Sequence, residues 1–130
     1  RGSNMGNIEN GQFILPREVI KAACNHFSDM PKATIKASTF CCGGGGGLLT
    51  DDLIELRIKG AMPRMQALKQ SQENDGVNTL AAICAICKSQ FSKVLPNYDF
   101  DPYMIVSVHQ LVSDALVLSD KSQSKVVDSL

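Results

Sequence analysis

The sequence predicts a small three-layer α/β fold: a parallel sheet with alternating helices, in the order α-β-α-β-α-β-α. Three observations predict it. The short runs "ATIKASTF" (33–40), "VNTLAAI" (77–83) and "MIVSV" (104–108) are rich in apolar and β-branched residues. Between them, apolar residues recur at helical spacing. A chain of 130 residues, 44% hydrophobic, is long enough for one buried core. Right-handed crossovers would then collect the strand C-termini at one edge, where such sheets bind ligands.

Each element follows from local chemistry. Residues 1–12, "RGSNMGNIENGQ", have no apolar period and are expected to form a flexible N-terminal segment. Pro16 suits the first turn of a helix, and Val19, Ile20, Ala23 and Phe27 give that helix a stripe; it should end at about Met30, before Pro31. The strand at 33–40 should end at Cys41–Cys42. Thr50 is the expected N-cap of the next helix, with Asp51 and Asp52 in its first turn, where the dipole favours acids. Ile54, Ile58, Ala61, Met65 and Leu68 form its stripe, and Met62 and Met65 are expected in the core. Gly60 and Pro63 predict a kink or a break. "NDG" (74–76) is a turn signal. The mostly apolar strand at 77–83 should be buried on both faces and end at Cys84. A helix over Ala85–Leu95 should face the core with Ile86, Phe91, Val94 and Leu95. Residues 97–102 read as loop, 104–108 as the third strand, and Val108, Leu111, Val112 and Ala115 mark the last helix. The domain spans 13–118, and 119–130 is a polar tail.

Lys+Arg and Asp+Glu both number 13, so no net charge draws the chain to nucleic acid or anionic lipid. No apolar run approaches the roughly 20 residues that span a bilayer, which predicts no direct membrane insertion. No signal peptide is visible, and the reading is a cytoplasmic chain. The five cysteines, an odd number, are Cys24, Cys41, Cys42, Cys84 and Cys87. Without a secretory signal they do not suggest a disulfide framework.

Four of them form two tight pairs, each at an expected strand end. The pairs should therefore meet on one edge of the sheet, although 41 residues (43–83) lie between Cys42 and Cys84. Three chemistries are open. "CAIC" (84–87) at a helix N-terminus could be a C-x-x-C dithiol oxidoreductase, but the second pair would then have no purpose. Four thiolates could close a structural zinc site, but adjacent cysteines in extended backbone point apart. An iron–sulfur cluster offers several metal atoms for diverging thiols, although the spacing is not a ferredoxin pattern. The glycine run Gly43, Gly44, Gly45, Gly46 and Gly47 then gains a cofactor-binding role, since bare backbone N–H groups can approach sulfur closely. It is not a phosphate loop: Leu48 stands where Gly or Ala is needed, no Gly-Lys-Ser/Thr follows, and Asp51 and Asp52 would repel phosphate.

"CCGGGGG" followed by "CAIC" resembles the CCG, or cysteine-rich, domain of heterodisulfide reductase-type subunits. The run from "CCGGGGGLLTDDLIELRIKGAMPRMQALKQ" through "LAAICAICKSQFSKVLP" to "IVSVHQLV" is most similar to the DsrK branch, iron–sulfur subunits of a membrane-bound electron-transfer complex. The resemblance covers about residues 13–118. It implies an oxidoreductase subunit that holds a non-cubane [4Fe–4S] cluster. Its metal ligands here would include Cys41, Cys42, Cys84 and Cys87, and its partners a DsrC-like sulfur carrier protein and other subunits of the complex. The chain would then lie peripheral to the membrane. The family's leading cysteine falls a few tens of residues before the C-C pair, and residues 1–23 contain none. Cys24, on the first helix's stripe, is read as a buried structural thiol. The matching cysteine is expected upstream of Arg1, which would make the chain a fragment, expected to hold its cluster poorly or not at all without it.

Of the remaining polar residues, His109 follows the third strand on the thiol edge and is a weak candidate for proton donation. His26 is expected to be exposed. Arg57, Lys59, Arg64 and Lys69 read as a solvated basic face of the long helix.

Overall fold

The structure is a computed structural model that describes residues 11–117. The first ten residues and the polar tail (119–130) lie outside the described residues.

Helix α1 (Leu15–Ala23) carries Pro16 in its first turn, as a missing N–H there allows. It ends at Ala23, not Met30, and Cys24 is already extended at φ −123° and ψ 144°. A long-range contact overrides the helical stripe. Arg17 Nε donates to Asp29 Oδ2 at 2.6 Å and Arg17 Nη2 to Asp29 Oδ1 at 3.0 Å. In a continuous helix residues 12 apart would sit about 18 Å from each other, so this bidentate pair requires the chain to fold back.

Residues 33–40 do not form the expected strand. They hold two single-turn 3₁₀ helices, Lys32–Thr34 and Lys36–Ser38, with Lys36 at φ 52°. A buried arginine on the next helix takes the polar groups that a sheet would have used. Arg64 Nη2 donates to Thr34 O at 3.0 Å, to Thr39 Oγ1 at 2.6 Å and to Phe40 O at 3.0 Å.

Helix α2 (Ile54–Asp75) runs as one helix through Gly60 and Pro63, where the sequence predicts a kink or a break. Gly60 serves as a contact rather than a breaker. Its bare backbone receives Gly43, so closely that a Cβ on Gly43 would lie 2.7 Å from Gly60 C and Ala61 N. Gly76, at φ 66°, caps α2 by donating its N–H to Gln72 O at 2.9 Å, as the turn signal predicts.

Strand β1 (Leu80–Ala82) pairs in parallel with β2 (Ile105–Ser107), register Leu80↔Ile105 to Ala82↔Ser107. Helix α3 (Ala85–Val94) forms the crossover between them, and α4 (Val108–Ala115) follows β2 and packs on α1. The α/β class and the parallel pairing therefore hold, with two strands among the described residues. The core is Ala61, Met65 and Leu68 of α2, Phe91 and Val94 of α3, Ala82 and Ile105 of the sheet, and Leu95, Phe100 and Met104 beyond α3, with Cys42 joined to it.

Several expected core positions face outward. Met62 is 48% exposed, on the side of α2 away from Ala61, Met65 and Leu68. Ile83 and Ile86 are also about half exposed, since β1 is too short to carry Ile83 inward and the α3 contribution to the core starts at Cys87 and Phe91. Conversely, Arg57 and Arg64 are buried, at 2% and 7% exposed, not solvated. Lys59 and Lys69 are exposed as expected.

Candidate metal centre

Regular backbone places Cys84 and Cys87. Cys84 follows β1 and is the N-cap residue of α3; Cys87 lies in the first turn of α3. The N–H groups of Cys87 and Ile86 face the Cys84 sulfur. The Cys87 N–H is the largest cause of a Cys84 pKa held below the ordinary thiol value.

Buried polar side chains place Cys41 and Cys42. Arg64 fixes the chain before them. Behind them, Gln90 of α3, fully buried, donates from Nε2 to Cys42 O at 3.0 Å and to Arg57 O at 3.1 Å. Its Oε1 accepts from Arg57 Nε at 2.8 Å, and Arg57 Nη1 reaches Thr50 O at 3.3 Å, beyond the glycines. One Gln–Arg network thus pins both ends of the glycine run. The glycines have distinct roles. Gly43, at φ 86°, turns the chain against the α2 backbone, and a Cβ on Gly44 would lie 2.9 Å from Gln90 Cβ and Leu49 Cδ2. The N–H of Gly43 donates to Cys41 Sγ at 3.4 Å, and that of Gly44 to Cys42. Nothing crowds Gly45 or Gly47.

The four thiols act on one another's titration, Cys41 and Cys87 on Cys42 and Cys87 on Cys84. The Cys87 thiol donates to Cys42 and, against the effect of burial, brings Cys42 down to about 6. Holding that shared proton next to an anionic neighbour pushes Cys87 far above the ordinary thiol range. Cys42 is buried, Cys87 half-buried, and Cys41 and Cys84 are exposed; all are free. Cys42, Cys84 and Cys87 line a cavity of about 1070 Å³ that also touches Arg64, Phe40 and Phe91. Among the described residues no three His, Cys, Asp or Glu side chains converge on a single metal position.

Cys24 is half-buried, not buried. It lies just past the end of α1, where it lines the same cavity. His109, in the first turn of α4, is exposed and does not border the cavity; the exposed His26 does. Gln90 is a buried site residue that the sequence does not single out, and Arg57, expected on a solvated face, is buried with it. The stripe Arg57–Ala61–Arg64–Leu68, spaced i, i+4, i+7, i+11, was the signal available, because it puts both arginines on the core face of α2.

The chain is similar to two curated archaeal proteins. It is 41% identical over 115 residues to the Hdr-like menaquinol oxidoreductase iron-sulfur subunit 2 of Archaeoglobus fulgidus, covering 87% of this chain and 20% of that protein. It is 42% identical over 115 residues to the Hdr-like menaquinol oxidoreductase iron-sulfur subunit of Archaeoglobus profundus, again 87% of this chain and 20% of the relative. The chain therefore spans about a fifth of the length of the curated relatives it matches. No family model and no solved structure matches it.

Proposed function

We propose that this chain is the cluster-holding domain of a heterodisulfide reductase-like iron–sulfur subunit, with Cys41, Cys42, Cys84 and Cys87 as ligands. The observation that carries the reading is that Cys42 from one segment and Cys84 and Cys87 from another, far apart in sequence, line one cavity, with Cys41 next to Cys42 in the chain. The names of the archaeal relatives support the iron–sulfur role. The donor set fits such a group. It is all thiol, two members are already biased towards the thiolate, and backbone N–H groups of Gly43 and Gly44 point at sulfur. A bound cluster would supply one-electron redox chemistry at this site.

The protein's own part is positioning and access. Gln90, Arg57 and Arg64 hold Cys41 and Cys42; the start of α3 holds Cys84 and Cys87. Cys41 and Cys84 face solvent beside the part-exposed Phe40, Ile83 and Ile86, so the redox centre would lie open to a partner. The finer reading is a DsrK-like subunit with a non-cubane [4Fe–4S] cluster, acting on a disulfide or trisulfide of a DsrC-like sulfur carrier. It would belong to a membrane-bound complex and attach through other subunits; no described helix is long and apolar enough to cross a membrane. The pairing of Cys42 with Cys87 favours a joint four-thiol site over an isolated Cys84–Cys87 dithiol.

Anaerobic reconstitution of the full-length polypeptide with iron and sulfide tests this. Bound iron, acid-labile sulfide and an EPR signal are the expected result. One equivalent of tightly held zinc, with no iron uptake, would overturn it in favour of a structural zinc module.

A further inference from the structure

Arg64 holds the loop that leads to Cys41 and also lines the thiol cavity. It is 7% exposed, and its hydrogen bonds go to neutral oxygens of Thr34, Thr39 and Phe40. None of the ion pairs among the described residues includes it. Asp29 is the acid whose charge acts on it, yet both Asp29 oxygens are engaged by Arg17, at 2.6 and 3.0 Å. Asp75 also borders the cavity, but it lies 11 residues along α2, about 16 Å away at helical rise. Arg64 therefore feels the Asp29 charge only at a distance, while Arg17 takes its hydrogen bonds. A buried cation without a full counter-charge is costly. The other groups that favour the Arg64 charge are the sulfurs of Cys41 and Cys87, two of the proposed ligands.

We infer that Arg64 is a positioning residue whose buried charge balances the thiolate-bound cluster and sets its reduction potential. The inference rests on the cluster reading above. Reduction adds one electron, hence one negative charge, to the bound group. A fixed cation nearby favours that state and raises the potential. Asp29 has the opposite effect, because it offsets part of the local positive charge. Arg57 is a useful contrast: it is buried at 2% exposed, but it is not among the residues that line the cavity.

The test is an EPR-monitored redox titration of the reconstituted full-length polypeptide and its variants. Arg64→Met should shift the midpoint potential to a more negative value, and Asp29→Asn to a more positive one. Arg64→Lys should leave the potential near that of the parent, because it keeps the charge and its ammonium has three donors for the acceptors that all bond Arg64 Nη2. If Arg64→Met fails to load a cluster, Asp29→Asn and Arg64→Lys decide. A purely structural role would lower loading without moving the potential in opposite directions. Loaded variants with unmoved potentials, or shifts of the same sign, overturn this inference alone. A parent protein that takes up no iron overturns the cluster reading with it.

Discussion

The two halves of the thiol site are built by different means. Cys84 and Cys87 ride on a strand end and a helix start, so backbone hydrogen bonds place them. Cys41 and Cys42 sit on irregular chain, and three buried polar side chains, Arg57, Arg64 and Gln90, place them. The first half needs only a pattern of apolar and polar residues. The second needs particular side chains at particular points, because an irregular segment must find partners for its backbone polar groups outside a sheet or helix. The comparison predicts that point substitutions damage the Cys41–Cys42 half far more than the Cys84–Cys87 half.

The largest effect is expected at Gly43. Gly43→Ala puts a methyl 2.7 Å from the backbone of α2 at φ 86°, and should cost about 4 kcal/mol in urea-unfolding stability from overpacking and strain. A loss under about 1 kcal/mol would mean the loop is not held against α2. Next is Gln90→Leu, which removes the side-chain partners of Cys42 O and Arg57 Nε. About 3 kcal/mol is expected, and Cys42 should become alkylated faster in the metal-free chain.

The shared proton gives a smaller effect. Cys42 titrates at about 6 in the folded chain, against an ordinary thiol value of about 8.5. A depressed thiol pKa contributes stability that is present above the unfolded value and lost as pH falls through the folded one. Cys87, pushed up, contributes stability that is present below the ordinary thiol range and lost as pH rises beyond it. Urea midpoints of the reduced, metal-free chain, measured against Cys42→Ala, should therefore peak near the ordinary thiol value and fall on both sides. A flat difference would show that the two thiols do not share a proton. The smallest effect belongs to Gly45→Ala, at a position with nothing within 4 Å; thermal unfolding should show a change within about 0.5 kcal/mol. If Gly45 proved as intolerant as Gly43, the division of labour along the glycine run would be wrong.

The same comparison explains what the sequence revealed. Apolar periodicity and the "NDG" turn located α2, β1, α3, β2 and α4, and with them Cys84 and Cys87, because those elements satisfy their own backbones. Residues 33–40 look like a strand by composition. What decides their conformation is Arg64, a residue 24 to 30 positions away whose side chain claims their carbonyls. Helix α1 stops short of its apolar stripe for a like reason, since Asp29 pairs back to Arg17. Pro63 and Gly60 carry breaker signals, but α2 continues through both, and Gly43 packs on the bare backbone of Gly60. Polar residues that serve as buried scaffolding carry no local signature except their place on an apolar stripe.

The central claim is that the two differently built halves hold one group together. Iron and acid-labile sulfide in five single Cys→Ser variants of the reconstituted full-length polypeptide test it most directly. Cys41→Ser, Cys42→Ser, Cys84→Ser and Cys87→Ser should each lose most of the iron and sulfide of the parent, while Cys24→Ser keeps them. Full retention in the variants of either pair would contradict the account.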